Sequence, residues 1–89
     1  MIKKKITVII VTYKTNRIIL KKCLDSIDSK IKVIIIENSK KFNDKNYFLK
    51  RYNNLRIYCS GLNLGYAKGN NYGFRKIKTK YALVLNPDS

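Results

Sequence analysis

The residues of this sequence best suited to chemistry stand at the ends of its apolar runs. Glu37 ends the run KVIIIE and is followed by Asn38 and Ser39. A carboxylate in that position can accept hydrogen bonds from ribose hydroxyls or a base N–H, which suits a nucleoside. Asn86-Pro87-Asp88 follows the run YALVL. Pro87 stops a strand and fixes a turn. Asp88 then projects from the strand end as a hard oxygen ligand fit for Mg²⁺ or Mn²⁺. One aspartate cannot hold a metal alone, so a diphosphate must supply part of the shell. Taken singly, Asn-Pro-Asp is an ordinary turn.

Before that motif comes Gly61-Leu-Asn-Leu-Gly65-Tyr-Ala-Lys-Gly69-Asn-Asn-Tyr-Gly73, with its four glycines at every fourth position. It fits neither GxGxxG nor the P-loop pattern, so neither phosphate-binding fingerprint applies. On a helix Gly69 and Gly73 share one face, and each costs about 0.8–1.0 kcal/mol relative to alanine. The pair implies close packing on a sheet or the close approach of a ligand. Lys68, near the helix start, is placed for a phosphate, which free backbone N–H groups also favour. A tight loop packed on a sheet accounts for the glycines but not for Asn63, Asn70 and Asn71.

These groups need elements to position them. Ile6 to Thr12 (ITVIIVT) and Lys32 to Glu37 (KVIIIE) are short and nearly continuous in apolar residues. That is the pattern of strands buried on both faces. Leu55 to Ser60 alternates, as a strand nearer an edge does, and Tyr81 to Leu85 supplies a fourth strand. Thr15 or Asn16 can cap a helix on which Leu20, Cys23, Leu24 and Ile27 share a face. Asn38 to Asn43 reads as a polar loop, Asp44 to Tyr52 as a short helix, and Ala67 to about Ile77 as a third helix. The order βαβαβαβ predicts an α/β fold: an open parallel sheet with right-handed crossovers and helices on both faces. In such sheets ligands bind beyond the carboxyl ends of the strands, where the strand order reverses. Thr12 and Tyr13, Glu37 to Ser39, the Ser60–Tyr66 loop and Asn86 to Asp88 therefore converge on one rim.

Composition narrows the choice. The chain has 89 residues, enough for one domain and no more, and is expected to be marginally stable. Its formal charge of +15 comes from 20 Lys+Arg against 5 Asp+Glu. A polyanion partner would explain that excess. So would codon composition, because lysine outnumbers arginine sixteen to four and Ile, Asn and Tyr are abundant too. Histidine is absent, which excludes Ser-His-Asp and Cys-His catalysis and any histidine metal site. Cys23 and Cys59 have no metal spacing and read as small buried residues of a reduced protein. The apolar run Ile6 to Val11 is too short for a signal peptide, and no stretch approaches a membrane helix. The chain is therefore read as cytoplasmic.

The sequence resembles family 2 glycosyltransferases of the GT-A fold, especially a rhamnosyltransferase-like branch. The resemblance rests on Thr12-Tyr13, Glu37-Asn38-Ser39, Asn63-Leu-Gly-Tyr-Ala-Lys-Gly-Asn-Asn71 and Leu85-Asn-Pro-Asp88, in that order along essentially the whole chain. It implies a donor such as a dTDP- or UDP-sugar, a divalent cation, and a role in cell-surface polysaccharide biosynthesis. Thr12, Tyr13 and Glu37 would line the nucleoside pocket. Asn63, Gly65, Lys68, Gly69 and Asn70 would lie along the nucleotide and its diphosphate. Asp88 would be the metal ligand, with Asn86 in the first position of a D-x-D-like motif. Glu37 replaces the usual aspartate and is one methylene longer. Lys40-Lys41 stands where a serine or acid is common. The catalytic base and acceptor site belong to a second half that is absent here, so residues 1–89 are expected to bind a donor without transferring sugar. The fourth strand is expected to present an open edge that invites a partner.

Two other classes compete. A small basic nucleic-acid-binding module would use the charge, but the tyrosines are scattered rather than interleaved with basic residues on one face. A receiver-type domain needs paired acids after its first strand, where Thr12 and Tyr13 stand instead. The lysines could also hold the protein at an anionic membrane surface.

Overall fold

In a computed structural model, which describes residues 5–61 and 65–87, four strands alternate with three helices. The strands are β1 (Ile6–Thr12), β2 (Lys32–Glu37), β3 (Leu55–Cys59) and β4 (Tyr81–Val84). The helices are α1 (Arg17–Asp25), α2 (Lys45–Arg51) and α3 (Gly65–Phe74). All pairings are parallel and the strand order is β3-β2-β1-β4.

The two continuous apolar runs become the two central strands, as strands covered on both faces must be. Alternate residues feed two separate cores. Val8, Ile10, Val33 and Ile35 meet Leu20 and Leu24 of α1 and Phe48 of α2. Ile9, Ile34 and Ile36 face the other way, toward Tyr72 of α3. Helices thus cover both faces. Each fully buried isoleucine contributes about 2 kcal/mol, and Ile9, Ile10, Ile35 and Ile36 are all fully buried.

Asn16, not Thr15, caps α1: its side chain accepts from the Ile18 N–H at 2.7 Å and the Ile19 N–H at 3.4 Å. The loop before α2 is less polar than its composition suggests. Phe42 is buried there and stacks on Phe48 with ring centroids 6.0 Å apart. It pins the loop to the core. The third helix starts two residues before Ala67 and ends at Phe74, short of Ile77. A turn from the Lys76 N–H to the Gly73 carbonyl at 2.9 Å closes it. Ile77 still packs against the α3-side core. The cysteines are free and half-buried.

The topology matters for the site. From β1 the chain steps through β2 to β3 on one side, then returns past β1 to β4 on the other. The strand order therefore reverses beside β1. The crevice it opens lies at the carboxyl ends of β1 and β4.

Candidate functional site

Glu37 and Thr12 are register partners at the ends of β2 and β1. Both are buried, Glu37 with 1% of its surface exposed. Glu37 is therefore no solvated loop acid. Its carboxylate Oε1 accepts from Thr12 Oγ1 at 2.6 Å. Oε2 accepts from Ser39 Oγ at 2.6 Å and from the Lys14 backbone N–H at 3.2 Å. A buried carboxylate with three donors is held in one orientation. It fixes the chain after β1 as well: Lys14 adopts φ 52, a left-handed conformation that costs a non-glycine residue about 1–2 kcal/mol. The Lys14 N–H bond to Glu37 stabilises that turn.

The turn leaves Tyr13 half-exposed at the rim, with the Lys14 ammonium 5.4 Å from its ring centroid. The expected trio therefore divides by role. Thr12 and Glu37 are buried beneath the rim, while the Tyr13 ring stands at the surface.

Asn38 continues the rim. Its N–H donates to the Thr12 carbonyl at 2.8 Å, and its side-chain Nδ2 donates to the Gly65 carbonyl at 3.0 Å. That second bond ties the end of β2 to the start of α3. Among the described residues, Asn38 Oδ1 and Asn70 Oδ1 are buried without a hydrogen-bond partner. An unmatched buried acceptor costs about 1–3 kcal/mol, so both atoms are open to a donor from water or a ligand.

The glycines of α3 have a definite structural cause. A Cβ on Gly69 would sit 2.8 Å from Val11 Cγ1 and 2.9 Å from Asn38 Nδ2. On Gly73 it would sit 2.8 Å from Ile9 Cγ2. Close helix–sheet packing therefore requires both. It also brings Asn70 into the rim beside Asn38, while Lys68 stays exposed on the helix's first turns. Gly65, at φ 78, opens the helix in a conformation natural to glycine. Beyond β4, Pro87 is buried and Asn86 is exposed at the carboxyl end. Asn63 and Asp88 lie outside the described residues.

Of the expected residues, Thr12, Tyr13, Glu37, Gly65, Gly69 and Asn70 share the carboxyl-end rim. Asn38, Ser39 and Lys14 join them through hydrogen bonds. Asn38 and Ser39 are visible in sequence as polar residues after a buried strand. Lys14 acts through its backbone, which no residue type announces.

The model of Glycosyl transferase family 2 matches residues 7–89. The chain belongs to this family. Domains of the family bind nucleotide-sugar donors in general. Among solved structures, a crystal structure of S. aureus TarS 1–349 is similar, with a TM-score of 0.73 and 20% identity. The match covers 94% of this chain and 27% of that one. At that identity the likeness establishes the fold, and this chain spans about a quarter of that longer chain. No curated protein sequence matches the chain. Among the described residues no helix is long and apolar enough to cross a membrane.

Proposed function

We propose that this family 2 domain is the donor-binding half of a glycosyltransferase, taking a nucleoside-diphosphate sugar at the carboxyl rim of the sheet. The observation that carries the reading is the family match over residues 7–89; within that span Thr12, Glu37 and Gly69 lie at the carboxyl ends of the strands, which supports a ligand at that rim. In this reading the base lies against Tyr13, beside the wall formed by Thr12 and Glu37. The protein's own donors occupy Glu37, so the carboxylate shapes the pocket and leaves at most one lone-pair direction for the ligand. Asn38 and Asn70 accept from nucleotide hydroxyls or N–H groups. Lys68, with the start of α3, faces the diphosphate.

Asp88 and Asn86 supply only hard oxygen donors, which suits Mg²⁺ or Mn²⁺. Among the described residues no three acidic, cysteine or histidine side chains form a metal site. The cation would therefore be shared with the diphosphate, neutralising charge on it when bound. In this reading, by resemblance, the sugar is a hexose or rhamnose carried on dTDP or UDP, and the product a cell-surface polysaccharide. Transfer itself requires a base and an acceptor site outside these residues.

Amide chemical-shift mapping tests the location. On addition of UDP or dTDP with Mg²⁺, the shifts of Tyr13, Lys14, Asn38, Gly69 and Asn70 are expected to move, and those of Lys45 and Lys50 on α2 to stay. Perturbation confined to the amino ends of the strands would overturn the assignment.

A further inference from the structure

The opposite end of the sheet carries a second concave site. Between the end of α3 and the amino ends of β2 and β3 lies a cleft of about 580 Å³. Lys32, Arg56, Arg75, Lys76 and Lys78 line it, together with half-buried Tyr58. Codon drift explains scattered lysines. It does not explain why two of the chain's four arginines meet here, at one cleft. The other two are engaged elsewhere: Arg17 with Asp44 at 2.6 Å, and Arg51 with the Tyr47 carbonyl at 3.0 Å.

Among the described residues no acid lines the cleft. Asp25 binds Lys21, Asp28 accepts from the Lys30 N–H, Glu37 binds Thr12, and Asp44 binds Arg17. Five cations on one concave surface repel one another, and a multivalent anion relieves that repulsion. Two aromatic rings steady part of the set. The Lys76 ammonium lies 4.9 Å from the Tyr58 ring centroid and 5.1 Å from that of Tyr72.

We propose that this amino-end cleft is a binding site for a diphosphate or for two neighbouring phosphate groups, separate from the donor site. Arginine suits the role because its planar fork takes phosphate oxygens in pairs. The size favours a compact ligand: small-molecule sites run to about 300–1,000 Å³. A single-stranded nucleic acid would need successive aromatic platforms, and the cleft offers Tyr58. The ligand could be a soluble diphosphate or a lipid headgroup bearing two neighbouring phosphates. The inference stands on the cleft alone and does not depend on donor binding at the rim.

The test is calorimetric titration of the full chain with inorganic diphosphate in EDTA. Binding is expected, and Arg56→Gln/Arg75→Gln should weaken it at least tenfold. Lys45→Gln/Lys50→Gln, an exposed pair on α2 that removes the same charge, should leave it within twofold. Metal-dependent UDP binding should survive in the arginine variant, which keeps failure here distinct from failure at the rim. Co-sedimentation with vesicles of cardiolipin, whose headgroup carries two neighbouring phosphates, displaced by diphosphate and lost in the arginine variant, would assign the headgroup source. Diphosphate binding without vesicle binding would assign the soluble one. No binding, equal loss in both double variants, or an affinity seen only for oligonucleotides and growing with their length would each overturn the proposal.

Discussion

Glu37 is where sequence, packing and the proposed function meet at the scale of a single side chain. Its three donors come from three separate positions: Thr12 on β1, Lys14 in the turn after it, and Ser39 beyond β2. Glu37→Ala would leave the buried Thr12 hydroxyl and the Lys14 N–H without an acceptor. The expected cost is about 3 kcal/mol, read as a lower urea midpoint with an unchanged slope. A midpoint equal to wild type would mean that the network does not hold the rim. A second residue-scale prediction concerns pH. Burial, and then the hydrogen bond to Asp25, push the Tyr52 phenol up to about 12 from its ordinary 10.0. A raised folded-state value means that this contribution is complete below pH ~10 and is lost as pH rises toward ~12. The stability gap between wild type and Tyr52→Phe should therefore narrow between about pH 9 and about pH 12. A gap that stayed constant would contradict the assignment. Thr12, Glu37 and Ser39 were legible in sequence because they follow apolar runs. The Lys14 contribution was not, since it depends on one backbone dihedral.

At the scale of elements, the strands were the clearest features. Buried β-branched runs have few alternative uses, and β1 and β2 span the residues their pattern indicates. Helix ends were less clear. Gly65 can begin α3 because its positive φ carries no side-chain penalty, and Gly73 helps to end it through the turn to Lys76. Neither event follows from hydrophobic spacing. Phe42 was hidden in the same way, as one aromatic residue inside a polar loop. The close fit of α3 gives a sharp prediction. Helix propensity alone would make Gly73→Ala stabilising by about 1 kcal/mol. The 2.8 Å approach to Ile9 Cγ2 reverses the sign, with an expected net loss of about 1–2 kcal/mol from overpacking. Asn71→Ala, exposed on the same helix, should gain a few tenths of a kcal/mol. Thermal melts of both variants check this, and a stabilised Gly73→Ala would mean that α3 sits farther from the sheet.

At the scale of the whole molecule, the parallel sheet separates two chemistries. The carboxyl rim gathers the acid, amides and glycines, and the amino end gathers arginines and lysines. The separation follows from parallel strands, which send every strand end of one kind to the same side. Order and parallel direction were readable from alternating elements. The placement of β4 beside β1 was not, because it depends on the long return through α3. β4 is also an edge, and Tyr81 and Leu83 on it are half-exposed. This chain covers 27% of the similar TarS 1–349 structure, so the shared sheet is part of a longer chain there. Donor binding is the property that the rim geometry lets be tested in these residues.

Calorimetric titration with UDP and dTDP, with and without Mn²⁺, tests that property most directly, beside an Asp88→Ala variant. Metal-dependent binding that disappears in Asp88→Ala is the predicted result. A folded chain that binds neither nucleotide, or binds both equally well without metal and without Asp88, would contradict a working donor site at the rim.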